Sequence, residues 1–181
     1  MNTSENNKNT SQHRSVRHLT RLAMYTTLAL ALYGLESLLP PPIPVPGVKL
    51  GLANIVTLLL LRNYSAQDAA TVLALRILLS AFAFGQAVSF AYSLAGGVCC
   101  FLIMYVINRL LQNHFLYLTS IFGALSHNLG QLLAAYVLTS VSGIMVYLPV
   151  LAVSGIMTGL FIGLCAHFSQ KYLETHLKKL S

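Results

Sequence analysis

The sequence predicts an all-α fold, a polytopic membrane bundle of about six transmembrane helices. Three observations predict it. Of the 181 residues, 56% are hydrophobic and only 8% are charged, whereas soluble domains carry about 25% charged residues. The apolar residues form repeated runs of membrane-spanning character, and most lysines and arginines lie just outside those runs. A water-exposed surface cannot be built from so few charges, so the sequence argues against a soluble enzyme.

Three segments are expected along the chain. Residues 1–15 are polar and rich in Asn, Ser and Thr, which predicts a disordered N-terminal tail. Residues 16–170 form one membrane domain, and residues 171–181 form a charged C-terminal tail. The three cysteines lie inside apolar runs without the spacing of a metal site, so we expect them to serve packing.

The six helices are predicted at residues 22–39, 50–61, 68–84, 87–107, 117–141 and 144–168. Between the first two lies the proline-rich segment 40–47, which cannot be helical because proline lacks an N–H and fixes φ. Helix two has only 12 apolar residues, too few for a hydrocarbon core of about 30 Å unless the proline-rich loop enters the membrane with it.

The charge distribution predicts the orientation. Six helices place both termini on one side, together with Arg14, Arg17, Arg21, Arg62, Arg109, Lys171, Lys178 and Lys179, whereas the other side has only Lys49. By the positive-inside rule both termini are cytoplasmic and the proline-rich loop faces outward. The net charge of +7 is therefore attributed to topology and lipid headgroups, not to nucleic acid.

Charged residues at membrane depth are costly and usually mark a site. Arg76 lies near the middle of helix three and needs an anionic or carbonyl partner. Two alternatives are open: an internal ion pair with Glu36, or a clamp on a ligand carboxylate or phosphate. Because Lys49 and Arg76 outnumber Glu36 in the outer half, we expect an anionic or zwitterionic ligand.

Helix five carries a second polar group of residues. Small and polar residues fall on one face, namely Gly123, Ser126, His127, Gly130 and Ala134, with Asn128 and Gln131 beside them. Such residues can simply tie helices together, at about 0.6 kcal/mol per bond, but three amide or imidazole groups within five residues favour a site. The candidate ligand-binding residues are Lys49, Asn54, Arg76, His127, Asn128 and Gln131.

Two further strips contain small residues at helical spacing. Gly155, Gly159 and Gly163 predict close helix packing by helix six. Ala23, Thr27 and Ala31 on helix one could dock within the bundle or against a partner subunit.

Catalytic motifs are lacking from the sequence. It has no phosphate loop, no HExxH or GxSxG motif and no aspartate-rich cluster, since Asp68 is the only aspartate. We therefore expect no catalytic residue, no metal and no cofactor in this chain.

Four segments in combination carry a family resemblance: PGVKLGLANI at 46–55, LRILLS at 75–80, SLAGG at 93–97 and GALSHNLGQL at 123–132. The chain resembles the bacterial membrane proteins known as heptaprenyl diphosphate synthase component I, or the Gx transporter family. These proteins are similar to the substrate-binding S components of energy-coupling-factor (ECF) transporters.

The resemblance implies an S-component-like bundle whose outward loop gates a ligand cavity. It implies partnership with a coupling subunit and two cytosolic ATPases, docked through the strip of Ala23, Thr27 and Ala31. The expected function is uptake of a small anionic or amphipathic nutrient or cofactor precursor. The alternatives are a membrane accessory subunit of heptaprenyl diphosphate synthase, in isoprenoid or menaquinone side-chain synthesis, and a structural scaffold.

Overall fold

The structure is a computed structural model that describes the backbone of residues 3–39, 49–84, 87–111 and 115–180. The described part is all-α, as predicted. Its helices are α1 (Thr3–Ser37), α2 (Asn54–Asn63), α3 (Ala66–Phe84), α4 (Ala87–Leu110), α5 (Leu116–Thr139), a 3₁₀ helix (Ser142–Tyr147) and α6 (Leu148–Leu180). The proline-rich segment 40–47, with its predicted extended conformation and role as a lid, lies outside the described residues.

The helices agree with the predicted elements, and the ends differ by a few residues in α2 to α5. The first and last helices are longer than predicted, because α1 begins at Thr3 and α6 continues to Leu180. Helical hydrogen bonds are local, so a helix can continue where apolar sequence stops. Helices α1 and α6 continue through residues 15 and 171, so no end of a helix marks a domain limit there. The disordered tail and the domain limits at these residues stay predictions.

Among the described residues, four helices are long and apolar enough to cross a membrane: the spans are Ala66–Ala83, Ala87–Leu110, Leu116–Thr139 and Ser142–Tyr172. Large apolar side chains on these helices are exposed, among them Phe82, Val137, Val153 and Met157. Such a surface suits lipid and not water. The expected count of about six spans is not confirmed, because α2 has only 10 residues and α1 is less apolar than α3 to α6.

The short helix α2 lies at the centre of the bundle. It contacts α1, α3, α4, α5 and α6, and its residues from Val56 to Leu61 are all buried. At about 1.5 Å per residue it is about 15 Å long, half of a hydrocarbon core. Because neighbouring helices surround it, its ends are covered by protein, the condition under which non-helical backbone is tolerated at membrane depth.

Polar contacts gather at one end of the bundle. His18 of α1 contacts Asp68 at the start of α3, with 2.7 Å between Nε2 and Oδ1. Near the end of α2, the Arg62 side chain donates to Gln170 of α6 at 2.7 Å. These contacts place the N-terminal half of α1, the end of α2, the start of α3 and the C-terminal half of α6 together. The start of α2 and the 49–52 segment therefore lie towards the opposite end.

The glycine strip of α6 packs against α5, which confirms the predicted close contact. A Cβ on Gly159 would lie 2.5 Å from the Ile121 Cα, and Ser120 Oγ donates to the Gly159 carbonyl at 2.6 Å. Gly155 similarly faces Leu125 and Asn128, and Gly163 faces Tyr117. The two backbones thus approach as closely as helices joined by small residues allow.

Gly159→Ala is expected to destabilise the protein by about 1–3 kcal/mol, because its methyl group must push against backbone and not a flexible side chain. The measurement is the free energy of unfolding in mixed detergent micelles. Gly143→Ala is the matched control, since the nearest atom to its Cβ is 3.9 Å away. Equal losses for the two variants would contradict the close α5–α6 contact.

Candidate ligand-binding site

Glu36, near the end of α1, holds the 49–52 segment against the bundle. One carboxylate oxygen accepts the Gly51 N–H, and the other accepts the Leu52 N–H at 3.0 Å. The side chain is only 4% exposed. A buried carboxylate is stabilised by backbone N–H donors, so Glu36 fixes the segment immediately before α2.

Two cations lie over the ring of one tyrosine. The Lys49 Nζ lies 3.4 Å from the centroid of the Tyr33 ring, and the Arg76 Cζ lies 5.8 Å from the same centroid. Lys49 also donates to Ser37 Oγ. Tyr33 and Arg76 are both buried, so the contact between them is shielded from bulk water, and cation–π contacts are stronger when they are desolvated.

Arg76 is 3% exposed and its charge is not paired directly with Glu36. Among the described residues, no ion pair joins the Arg76 guanidinium to a carboxylate within 4 Å. Its Nη2 is buried, has no hydrogen-bond partner and lies beside Gly97 of α4. Of the two alternatives for Arg76, direct pairing with Glu36 is therefore not what the structure contains.

A hydrogen-bond relay links the 49–52 segment to helix α5. The Lys49 backbone N–H donates to Gln131 Oε1 at 3.1 Å, and Gln131 Nε2 lies 3.0 Å from His127 Nε2. Because an amide nitrogen can only donate, His127 Nε2 must accept and its proton must be on Nδ1. This Nδ1 faces the backbone of Gly96 on α4, to which it donates a hydrogen bond of imperfect geometry.

Asn54, the first residue of α2, lies in the same place. It is 1% exposed, and neither its side-chain nitrogen nor its oxygen has a partner. Gly51 has φ of +86°, and a Cβ there would lie 2.6 Å from Asn54 Nδ2 and 2.7 Å from His127 Cδ2. Only glycine fits this backbone conformation and this close approach.

The structure thus brings together five of the six candidate ligand-binding residues, which we call the polar cluster with Glu36 and Tyr33: Tyr33, Glu36, Lys49, Asn54, Arg76, His127 and Gln131. Asn128 lies elsewhere. Its Nδ2 donates to the Leu151 carbonyl of α6 at 2.8 Å, and it lines a cavity of about 270 Å³ with apolar side chains of α5 and α6. Asn128 follows His127 directly in the sequence, so its side chain is rotated by about 100° around the helix.

Three members of the site were not among the candidates. Tyr33 lies one turn before Glu36 on α1, so its position on the same face could have been found from helical spacing. Gly51 and Gly96 fall within the quoted segments 46–55 and 93–97. No spacing rule connects these glycines to His127, because the contacts join distant parts of the chain.

The strip of Ala23, Thr27 and Ala31 is exposed on α1. The Thr27 hydroxyl donates to the Ala23 carbonyl at 2.9 Å, so its polar atom is satisfied within the helix. The strip therefore presents a smooth outer surface, apart from the polar cluster inside the bundle.

Glu36→Gln is expected to release the 49–52 segment, because a neutral amide has one acceptor oxygen for two N–H donors. The predicted cost is about 1.5–3 kcal/mol, the contribution of hydrogen bonds to a charged group. Faster hydrogen–deuterium exchange in peptides covering Gly51 and Leu52 would report it. Asp68→Asn, at the opposite end of the bundle, is the control and should leave that exchange unchanged; unaltered exchange in both variants would contradict the role of Glu36.

The chain matches the family described as "Heptaprenyl diphosphate synthase component I" over residues 25–169. No curated protein and no solved structure matches it. The matched region includes all residues of the polar cluster, the helices α3, α4 and α5, and most of the fourth membrane-spanning segment.

Proposed function

Since the chain belongs to the heptaprenyl diphosphate synthase component I family, we propose that it is a non-catalytic membrane subunit of such a synthase. The family match over residues 25–169 is the observation that carries this proposal. The family is described as one component of a synthase, which implies a second protein. In this proposal that partner performs the prenyl transfer. The membrane subunit would anchor that enzyme where its long apolar product enters the bilayer.

The described acidic residues support a non-catalytic role. Prenyl transfer from a diphosphate requires Mg²⁺ held by several carboxylates. Glu36 is engaged by two backbone N–H groups, and Asp68 contacts His18 at the opposite end of the bundle. The two carboxylates cannot meet at one ion.

In the proposed topology α1 and α2 complete a bundle of six membrane-embedded helices, with both termini in the cytoplasm of a bacterial cell. The positive-inside rule supports this orientation. Arg21 and Arg62 lie at the end where α2 finishes and α3 begins, and Lys49 lies towards the other end. A soluble synthase would then meet the cytoplasmic end.

A second candidate function is the substrate-binding subunit of an ECF uptake transporter, as the resemblance implies. The specific observation that favours it is the enclosed polar cluster, in which Lys49, Asn54, Arg76, His127 and Gln131 would bind a small ligand. The exposed strip of Ala23, Thr27 and Ala31 would contact the coupling subunit. Asn128, bonded to α6, would support the site without touching the ligand.

Affinity purification of the tagged chain from its own membranes distinguishes the two functions. We expect a soluble prenyl diphosphate synthase to be recovered in a fixed ratio, because a dedicated subunit must form a stable complex. The measurement is mass spectrometry of the purified complex, followed by an assay of prenyl transfer.

The controls are substitutions on two faces of the bundle. Ala23→Leu with Ala31→Leu enlarges the exposed strip of α1, and Val153→Leu changes the lipid-exposed face of α6. Recovery of a coupling subunit with two ATPases, lost in the α1 variant and kept in the α6 variant, would replace the synthase proposal with the transporter. Recovery of neither partner would overturn both.

A further inference from the structure

A groove of about 640 Å³ runs along α1 and is bordered by Tyr64, the residue that follows α2. Its α1 lining consists of two adjacent rows of side chains at four-residue spacing. The rows are Val16, Thr20, Met24 and Leu28, and beside them Arg17, Arg21 and Tyr25. The apolar members of the first row are exposed, so the groove is separate from the polar cluster and opens to the outside of the bundle.

The groove is charged at one end and apolar at the other. Arg17 and Arg21 lie near the end of the bundle where α2 finishes, because Arg21 contacts Tyr64, and Met24 and Leu28 follow along α1. From Arg17 to Leu28 the helix rises by about 16.5 Å, close to half of a hydrocarbon core of about 30 Å. A ligand that fills the groove is therefore charged at its head and apolar over the depth of one membrane leaflet.

The charge of the basic end is not balanced by a described carboxylate. The acidic side chains that the structure describes are Glu36 and Asp68; Glu36 binds the 49–52 segment, and Asp68 contacts His18. Arg21 instead lies with its Cζ 4.6 Å from the centroid of the Tyr64 ring. An anionic headgroup complements this end, whereas the ammonium group of a zwitterionic lipid would find no described anion there.

Two aromatic rings mark the level of that headgroup. Tyr25 and Tyr64 meet edge to face, with 5.8 Å between their centroids, and both line the groove beside the arginines. Tyrosine is enriched where lipid headgroups meet the apolar core. Because the groove opens sideways, it is filled from the surrounding bilayer, of which phospholipids are the main constituent.

We infer that the groove along α1 binds an anionic phospholipid of the leaflet next to the end of α2. Its phosphate lies between Arg17 and Arg21, and one acyl chain lies along Met24 and Leu28. The inference rests on the proposed function only in that α1 is embedded in the membrane.

The test titrates the full chain in detergent micelles and counts bound lipid by native mass spectrometry. The probes are phosphatidylglycerol, phosphatidylcholine with the same acyl chains, glycerol phosphate and farnesyl diphosphate. Phosphatidylglycerol is expected to bind saturably, and phosphatidylcholine at least about ten-fold more weakly, since its net charge is zero. This comparison needs no substitution, so it stands even if a variant fails to fold.

Substitutions of the arginines locate the headgroup. Arg17→Gln is expected to weaken the Kd for phosphatidylglycerol by about five-fold, and Arg17→Gln with Arg21→Gln by about thirty-fold. Arg109→Gln is the matched control, because it removes the same charge from the same end of the bundle, where Asn108 contacts the Leu61 carbonyl. It lies outside the groove and should leave the Kd unchanged.

A substitution that fills the groove tests the position of the acyl chain. Thr20 is exposed and its hydroxyl donates only to the Val16 carbonyl of its own helix, so Thr20→Trp blocks the groove without changing its charge. It should abolish saturable binding of phosphatidylglycerol. Val153→Trp, on the lipid-exposed face of α6, is the control and should bind as the parent chain does.

Equal binding of the two phospholipids, or binding that the arginine pair or Thr20→Trp leaves intact, would overturn the inference. Glycerol phosphate as effective as phosphatidylglycerol would overturn it in favour of a free phosphate site. Tighter binding of farnesyl diphosphate would overturn it in favour of a prenyl diphosphate site. A failure here with a synthase still recovered from membranes leaves the proposed subunit in place, and selective lipid binding with no synthase recovered overturns the subunit alone.

Discussion

The buried charge of Arg76 is the constraint on which the rest of the bundle depends. A guanidinium cannot deprotonate inside a protein, so its charge must be balanced where it lies. The face of the Tyr33 ring and the nearby charge of Glu36 stabilise the guanidinium. The Glu36 carboxylate in turn accepts hydrogen bonds from the backbone of the 49–52 segment. Removing any one of these groups would leave another polar group without its partner in an apolar interior. The groups therefore act as a unit.

The central position of α2 follows from the same constraint. The 49–52 segment has N–H groups that no helix satisfies, and it lies at the end of the bundle opposite the His18–Asp68 contact. Such backbone is tolerated at membrane depth only where protein covers it. Glu36 and Gln131 satisfy its N–H groups, which allows α2 to begin at Asn54 inside the bundle. A helix too short to span thereby becomes the element around which the longer helices pack.

Apolar periodicity predicted the helices and the α5–α6 glycine contact, because both depend on local spacing. The cost of polar groups at membrane depth predicted that Arg76, His127 and Gln131 lie close together; that they bind a ligand stays a prediction. What it could not predict is pairing across the chain: Glu36 binds the Gly51 backbone and not Arg76, and Asn128 binds α6. Neighbours in sequence such as His127 and Asn128 face different helices, so their roles are set by tertiary contacts.

The connectivity of the cluster has a consequence for both candidate functions. Lys49 reaches Gln131 through its backbone and Tyr33 through its ammonium group, so the 49–52 segment is joined to α5 and α1 at once. A ligand that satisfies Arg76 and Asn54 would strengthen this junction, and one that competes with Glu36 for the cations would weaken it. In the transporter candidate, occupancy of the cluster would therefore be coupled to the packing of α1, whose outer face carries the small-residue strip. A partner bound to that face would sense whether the cluster is filled, as binding at one site alters affinity at another when both bias the same element.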